Sequence, residues 1–567
     1  MEATNLAHMA SPLFRLPREL RDEIYAYHVY EHDGYFHSFA SGKLSCSDQR
    51  PIDLDLMFTC KAIAQEMRGV ALLTNKVTFT TGRSEIQVDD SGDISLAGRF
   101  ERLLTWIRAI KMQMLVHAHE CVTPDILDQI QIRHPYVGAL FADRFRAAIS
   151  TTADDVMPIM VLVGSTRFLD DNQVPLPVQD ALDTALTLAS SDPRFKGKAL
   201  QAFEEGQNFL MNMTLVPEAY DMILQYRPCR WQIPDPHELA SFEALMRPSD
   251  PNFVLYDSME YRKTRNFSVG VWYFSATAVA IQFLKRMSER GLRLRNIILD
   301  EDYKGVAHPA YHIAGLIPFC QRDPQLRINR RVGSIYLSDW DHIADHFKLP
   351  FRDDVILMLY QTFVSMVDWV CATGRLLDLG MPPQSCFTTF VVRSDSDLNS
   401  WSALKVAAFW QESMLKWFKR QGGKLPPLTY DRWGGPYALP IALPMDFSEI
   451  VHALLKGDLS VRCQLSNAAA DNLPELSEGY RIRDILSPPQ QNWDIKTWRK
   501  KWGDVQSVVI KLPEGGERTL TLPYVRHGYG PPSLRNFRIP QHRLLGLSEQ
   551  TRINLEESIR RSAVDED

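Results

Sequence analysis

The chain has 567 residues, which is too long for a single hydrophobic core and predicts two to four domains. Hydrophobic residues make up 45% and charged residues 23% of the sequence, the usage of ordinary globular proteins rather than of fibrous or disordered chains. The formal net charge of -6 excludes a global positive field that would attract nucleic acid or an anionic membrane. Binding to either would therefore need a local patch.

The eight cysteines stand far apart, and no pair has the spacing of a metal knuckle or a redox motif. A chain of this size does not need a disulfide framework, so we expect a reducing compartment, the cytoplasm or the nucleus. The N-terminus has no basic region followed by an apolar core, and we expect no signal peptide. The uncharged run at 266–284 changes at Ser275 from strand-like alternation to helical spacing. This change favours a buried strand and a packed helix over a membrane span.

Two helices are predicted near the N-terminus. The sequence LPREL at 16–20 places a proline at the start of the first helix, where a missing N–H costs nothing. Leu20, Ile24 and Tyr27 then fall on one face of it. A second apolar stripe runs from Leu56 to Val70 and predicts one continuous helix that ends near Asn75.

These two segments, LPRELRDEIY at 16–25 and MFTCKAIAQEM at 57–67, resemble the F-box-like N-terminus of a group of fungal proteins. In F-box proteins a Leu-Pro pair opens the first helix, and a Cys/Ser-Lys pair stands in the helix that follows. Those helices bind the Skp-type adaptor of a cullin–RING ubiquitin ligase. The resemblance implies a partner-binding set on both helices: Leu16, Pro17, Leu20, Ile24, Cys60, Lys61 and Ile63. An insert at 31–52 separates the two helices more widely than in a compact F-box.

The rest of the chain alternates between helix and strand patterns. A strand is predicted at 76–80, followed by three helix–strand pairs: 100–107 with 110–116, 276–290 with 297–299, and 355–371 with 386–392. The predicted fold class is therefore helix-rich α/β or α+β. We expect an F-box-like helical module at 11–82, a mixed α/β domain at 83–345 with a βαβ unit near 267–299, and a helical, loop-rich region at 346–567. A degenerate leucine-rich-type array is the alternative for the alternating part.

Several acidic and histidine residues are possible metal donors. One group follows the strand at 297–299: Asp300, Glu301, Asp302, His308, His312 and Cys320. Pro309 opposes the regular helix that would align the two histidines, and carboxylates at a strand end are usually solvated, so we predict no metal site there. Asp395 and Asp397 form a D-x-D pair that resembles the metal–nucleotide-sugar site of many glycosyltransferases. Capping of the next helix is the simpler interpretation of that pair.

A basic, aromatic segment lies between Trp493 and Trp502 and could bind single-stranded nucleic acid or a membrane surface. Tryptophans that pack while lysines stay in water are the more frequent outcome. We therefore expect no membrane partner and no nucleic-acid partner.

The sequence has no G-x-S-x-G, H-E-x-x-H or Walker A motif. We therefore expect no enzymatic activity, no catalytic residues and no cofactor. The leading hypothesis is an F-box-like adaptor that binds a Skp-type adaptor and an unknown client protein. An interaction scaffold without a ubiquitin role is the second hypothesis. A metal-dependent transferase that uses Asp395 and Asp397 is the third.

Overall fold

The computed structural model describes residues 11–82, 95–134, 176–204, 213–215, 217–248, 273–287, 294–303, 305–333, 366–392, 446–456, 463–465, 507–511 and 517–521, with single positions of helices between 138 and 145 and between 401 and 412. Fourteen α-helices of this part are used below: α1 (Arg18–Val29), α2 (Asp55–Thr59), α3 (Lys61–Glu66), α4 (Val70–Thr74), α5 (Leu96–His117), α6 (Pro124–Arg133), α7 (Leu176–Ala189), α8 (Phe195–Ala199), α9 (Gln201–Glu204), α10 (Tyr220–Gln225), α11 (Pro236–Leu245), α12 (Ala276–Arg286), α13 (Ile317–Arg322) and α14 (Phe447–Leu455). A further helical segment covers 366–374. Short 3-10 helices cover Pro12–Arg15, His119–Cys121, Pro217–Ala219 and Pro309–Leu316.

The strands of the described residues are β1 (Tyr35–His37), β2 (Leu44–Ser45), β3 (Lys76–Thr80), β4 (Met213–Leu215), β5 (Met246–Pro248), β6 (Asn296–Glu301), β7 (Arg327–Val332), β8 (Cys386–Phe390), β9 (Cys463–Leu465), β10 (Ser507–Lys511) and β11 (Glu517–Thr521). Seven of them form one sheet in the order β2-β1-β3-β6-β7-β8-β9. The pair β1–β2 is antiparallel, and every other neighbouring pair is parallel. Two antiparallel pairs, β4–β5 and β10–β11, stand apart from this sheet.

The sheet shows the predicted helix-rich α/β character. From β3 to β9, each new strand of the sheet lies beside the preceding one, and helical segments stand in the connections between them. Parallel strands require such crossover connections. The strands lie deep in the molecule, because Val77, Phe79 and Leu299 are fully buried. The sheet contains strands from all three regions into which the sequence was divided.

The region of the predicted βαβ unit is only partly described. Helix α12 and strand β6 lie where the sequence predicted them, and Ser275 is the N-cap of α12, its hydroxyl accepting from the Ala278 N–H. Strand β6 pairs in parallel with β3 on one side and with β7 on the other. Residues 251–272, which include most of the predicted first strand, lie outside the described part of the chain.

The strand predicted at 110–116 was wrong, because these residues belong to the 22-residue helix α5. Helix α5 contacts α7, α8, α9, α10 and α11, so it is surrounded on several sides. Ile110, Met112 and Met114 are all buried in these contacts. A helix that is apolar around most of its circumference can also show alternating apolar residues, and the pattern alone did not distinguish the two structures.

The single helix predicted from Leu56 to Asn75 was also wrong, since three short helices occupy this stretch. The backbone is extended at Cys60, with φ -160° and ψ 159°, and this residue separates α2 from α3. Gly69 adopts a left-handed conformation with φ 79° before α4, which glycine tolerates without steric cost. The apolar stripe still packs as one surface, because Ile63, Met67 and Val70 share a buried cluster with α1.

Asn75 links the N-terminal helices to the sheet. Its buried side chain accepts from the Glu31 N–H at 2.8 Å and donates to the Val29 carbonyl at 2.7 Å and to the Ala71 carbonyl at 3.0 Å. These bonds join the end of α1, Ala71 of α4 and the residue that precedes β3. The Tyr35 hydroxyl of β1 also donates to the Val29 carbonyl, at 2.7 Å, so Asn75 and Tyr35 together link α1 to the sheet.

Replacing Asn75 with alanine should lower the free energy of unfolding by about 1–3 kcal/mol, because the Glu31 N–H would lose its partner. The Val29 and Ala71 carbonyls would keep the Tyr35 hydroxyl and the backbone N–H of residue 75 as donors. Chemical denaturation monitored by circular dichroism measures this change. Asn296→Ala, at an exposed position of β6, is the matched control and should leave the stability within about 0.5 kcal/mol of the wild type. Equal stability of the Asn75→Ala and Asn296→Ala variants would contradict the proposed link.

Candidate partner-binding face

Helix α1 has one buried face and one exposed apolar face. Tyr25 and Val29 are buried in the cluster that α1 shares with α3 and α4. On the other face, the exposed fraction is 46% for Leu20, 39% for Ile24 and 87% for Tyr27. Spacings of four and three residues place these side chains in one row along a helix. We call Leu20, Ile24 and Tyr27 the α1 stripe.

The other residues of the predicted partner-binding set have different environments. Pro17 is exposed directly before α1, and Leu16 is half-buried. In the second segment, Lys61 is exposed and Cys60 is half-buried. Ile63 lies in the core, with an exposed fraction of 6%. The structure therefore leaves the α1 part of the set open to solvent and uses Ile63 for internal packing.

Two exposed aromatic residues were missing from the predicted set. Tyr27 completes the α1 stripe, and its spacing from Ile24 was visible in the sequence. Phe58 of α2 has an exposed fraction of 80%. Phe58 was not predicted to be exposed, because it lies between the apolar residues Leu56 and Cys60 in a stretch whose pattern indicated one continuous helix.

A group of polar contacts fixes α1 against α3 without involving the α1 stripe. The Arg21 guanidinium donates to both carboxylate oxygens of Glu66, at 3.0 and 2.7 Å. The Tyr25 hydroxyl donates to Glu66 Oε2 at 2.8 Å, and Arg18 Nη1 lies 3.1 Å from Glu66 Oε1. The bond from Arg21 is the largest cause of the lowered pKa of Glu66. Because these contacts lie beside the buried face of α1, the outward direction of the stripe is set before any partner binds.

Two of the possible metal donors near the end of β6, Glu301 and His312, have structural roles. The Glu301 carboxylate is buried and accepts from the Ala276 N–H at 2.9 Å, the Thr277 N–H at 3.2 Å and the Thr277 hydroxyl at 2.6 Å. A carboxylate is stabilised at a helix N-terminus by the unpaired N–H groups of the first turn and by the helix dipole. Glu301 therefore anchors α12 to the sheet.

His312 is part of the same buried network. Its Nδ1 lies 2.7 Å from the Ser275 hydroxyl, and its Nε2 lies 2.9 Å from the Ala307 carbonyl. Burial is the largest cause that lowers the pKa of His312, to about 3, so the ring is neutral at pH 7. In that state Nε2 donates to Ala307, and Nδ1 accepts from Ser275. Both residues are buried, so this Ser–His pair has no access to a substrate and supports the fold instead.

No group of three or more His, Cys, Asp or Glu side chains in the described residues lies close enough together to hold a metal ion. Asp395, Asp397 and the segment from Trp493 to Trp502 lie outside the described part of the chain. Of the helices that the structure describes, none has both the length and the apolar character that crossing a bilayer requires. Seven cysteines of the described residues are free thiols.

The buried state of His312 predicts a pH dependence of stability. Below pH 6.5 the unfolded chain binds a proton on this ring, whereas the folded chain does not until the pH nears 3. The contribution of His312 to the free energy of unfolding is therefore complete above pH 6.5 and decreases as the pH falls towards 3. Between pH 7 and pH 5 this loss amounts to about 2 kcal/mol. The His312→Gln variant should be less stable at pH 7 but should lose about 2 kcal/mol less than the wild type on acidification.

Denaturant unfolding at both pH values measures this difference. The exposed residue His237 offers a matched control, and His237→Gln should show the wild-type loss on acidification. An identical loss in the wild type and in His312→Gln would show that the ring takes up its proton without cost in the folded state.

Comparisons with models of protein families, with curated proteins and with solved structures found no match for this chain.

Proposed function

We propose that this protein is a non-enzymatic, F-box-like adaptor whose α1 stripe binds a Skp-type adaptor of a cullin–RING ubiquitin ligase, while the remainder binds a client protein. The observation that carries the proposal is the exposure of Leu20, Ile24 and Tyr27 on a helix whose opposite face is fully packed. The resemblance of residues 16–25 and 57–67 to F-box-like segments supplies the identity of the partner. Such a role belongs in the cytoplasm or the nucleus.

The exposure of the stripe favours a binding role over a packing role. Single exposed apolar residues are normal on protein surfaces, but a contiguous apolar row is typical of an interaction site. Helix α1 is held in place by Tyr25, Val29, Asn75 and the partners of Glu66, and none of them belongs to the stripe. Leu20 and Ile24 lie outside the buried cluster that α1 shares with α3 and α4.

An interaction scaffold that uses the same stripe for another protein is the alternative. Both functions predict a binding surface on α1, and they differ only in the partner. Binding of a Skp-type adaptor is therefore the decisive measurement. The metal-dependent transferase has no support among the described residues, because Asp395 and Asp397 lie outside them.

The test uses the full chain, because β1 and β3 are strands of the central sheet and β3 pairs directly with β6. Leu20 and Ile24 are about half exposed, so covering them should contribute about 1 kcal/mol each. We expect the Leu20→Ala/Ile24→Ala variant to bind a purified Skp-type adaptor about 30-fold more weakly than the wild type, measured by titration calorimetry.

The matched control is Ile132→Ala, since Ile132 is an aliphatic residue of α6 with an exposed fraction of 79% that lies outside the N-terminal helices. This variant should bind the adaptor as the wild type does, and thermal melts of all three proteins should agree within a few degrees. Failure of the folded wild type to bind any Skp-type adaptor would reject the ubiquitin role and favour the scaffold. Full binding by the double variant would place the interface on another surface.

A further inference from the structure

A cavity of about 400 Å³ with charged and apolar walls lies between α5, the end of α6, α7, the segment at 226–230 and the loop at 307–308. Among the described residues, five with cationic side chains line it: Arg108, Lys111, Arg133, Arg227 and Arg230. The rest of the chain has a negative formal charge overall, so this is the kind of local positive patch that the composition alone could not reveal.

Three carboxylates also line the cavity, and they partly balance the cations: Glu101, Asp180 and Asp183. Lys111 Nζ donates to Asp183 Oδ1 at 2.8 Å, and Arg227 Nη1 lies 3.2 Å from the same oxygen. Arg230 pairs with Asp180. One carboxylate thus serves two cations, and among the described residues of the lining the cations outnumber the carboxylates.

Lys111 and Arg227 of this lining are held in place before any ligand enters. Arg227 donates to the carbonyls of Leu224 at 2.8 Å and of Tyr226 at 3.0 Å. Lys111 is buried and donates to the Tyr226 carbonyl at 2.6 Å. The bonds to Tyr226 and Asp183 use two of its three N–H groups, and the third can bind a ligand. A fixed cluster of donors binds an anion with little ordering cost. Burial is the largest cause that lowers the pKa of Lys111, to about 8, as expected where carboxylates only partly offset the desolvation of an ammonium group.

The loop at the inner side of the cavity has an unusual backbone. Ala307 and His308 both have positive φ, 60° and 59°, although neither is glycine. Three surrounding groups hold this loop: Glu101 accepts from the Ala307 N–H at 2.7 Å, His312 donates to the Ala307 carbonyl, and Arg330 donates to the Pro309 carbonyl at 2.7 Å. Backbone strain of this kind is unfavourable and concentrates at functional sites. Here it places the His308 ring in the wall of the cavity, where His308 Nε2 lies 2.5 Å from Gln179 Nε2.

We propose that this cavity binds a small phosphate monoester. The second pKa of such a phosphate is near 6, so the group is a dianion at pH 7, opposite in sign to the cations that predominate among the described residues of the lining. Guanidinium groups bind phosphate oxygens in pairs, and Arg133 and Arg230 keep most of their N–H groups beyond the bonds to Gln129 and Asp180. A volume of about 400 Å³ lies within the range of small-molecule sites and suits a compact ester. This inference is independent of the adaptor function, because none of the residues lining the cavity belongs to the α1 stripe.

Titration calorimetry of the full chain with three probes tests the proposal: glycerol phosphate, inorganic phosphate and glycerol. Glycerol phosphate should bind with a dissociation constant of about 1 mM or tighter, inorganic phosphate should bind more weakly, and glycerol should not bind. Added salt should weaken the binding of both anions.

Two substitutions with opposite expected effects separate anion binding from a purely structural role of these ion pairs. Arg133→Gln removes a cation from the exposed rim and should weaken glycerol phosphate binding about fivefold. Asp180→Asn removes a competing carboxylate and should strengthen it about fivefold. Arg194→Gln is the matched control, because Arg194 is an exposed arginine that pairs with Asp192 outside the cavity, and it should not change binding.

Three results would overturn the proposal. The folded wild type could fail to bind glycerol phosphate, Asp180→Asn could weaken binding as Arg133→Gln does, or Arg194→Gln could weaken binding as much as Arg133→Gln. The last result would assign the anion to the general surface. Thermal melts identify any variant that does not fold, and in that case Asp183→Asn, with the same expected gain, replaces Asp180→Asn.

Discussion

The buried carboxylate of Glu301 is the contact on which most of this architecture depends. It projects from the central strand β6, accepts three hydrogen bonds at the start of α12, and lies 3.7 Å from the guanidinium of Arg330 on β7. Arg330 is itself fully buried, donates to the Pro309 and Ala310 carbonyls, and lies 4.2 Å from the centre of the Trp369 ring. One ion pair in the interior thus joins two strands, a helix and the 3-10 segment that follows β6. Removing either partner would leave the other charge buried without compensation, which is among the most destabilising changes known in protein cores.

The sequence predicted those elements whose signal is local. Ser275 stood at a change of periodicity and proved to be the N-cap of α12, and the run Ile297–Leu299 proved to be a buried parallel strand. The helix-rich fold class and the alternation of helices and strands also followed from the spacing of apolar residues. Where a pattern had two explanations, as at 110–116, the surroundings of the segment decided between them, and these depend on α7 to α11 far along the chain.

The sites were harder to predict than the elements, because their residues meet only after folding. From the sequence, Glu301 could be described only as a possible metal donor. Its actual partners, the N–H groups of Ala276 and Thr277 within 3.2 Å, come together with it only in the folded chain. The cavity combines Arg108, Asp180 and Arg230 from three separate helices and loops, and no spacing rule connects them. The α1 stripe was visible as an apolar face, but only the packing of Tyr25 and Val29 shows which of the two apolar faces remains open to solvent.

The two-residue strand β2 has a consequence for how these molecules behave towards one another. It closes one end of the sheet, and its antiparallel register with β1 covers only two residue pairs. A long, flat strand at this end would present a row of unpaired N–H and C=O groups, which can recruit the sheet of another molecule. Strand β2 ends after Ser45, and the chain then turns back so that Pro51 pairs with Ser45 in a single antiparallel bridge. This edge therefore leaves few backbone groups with which a strand of another molecule could pair. The segment at 31–52, which contains β1 and β2, therefore also limits self-association at this edge of the sheet.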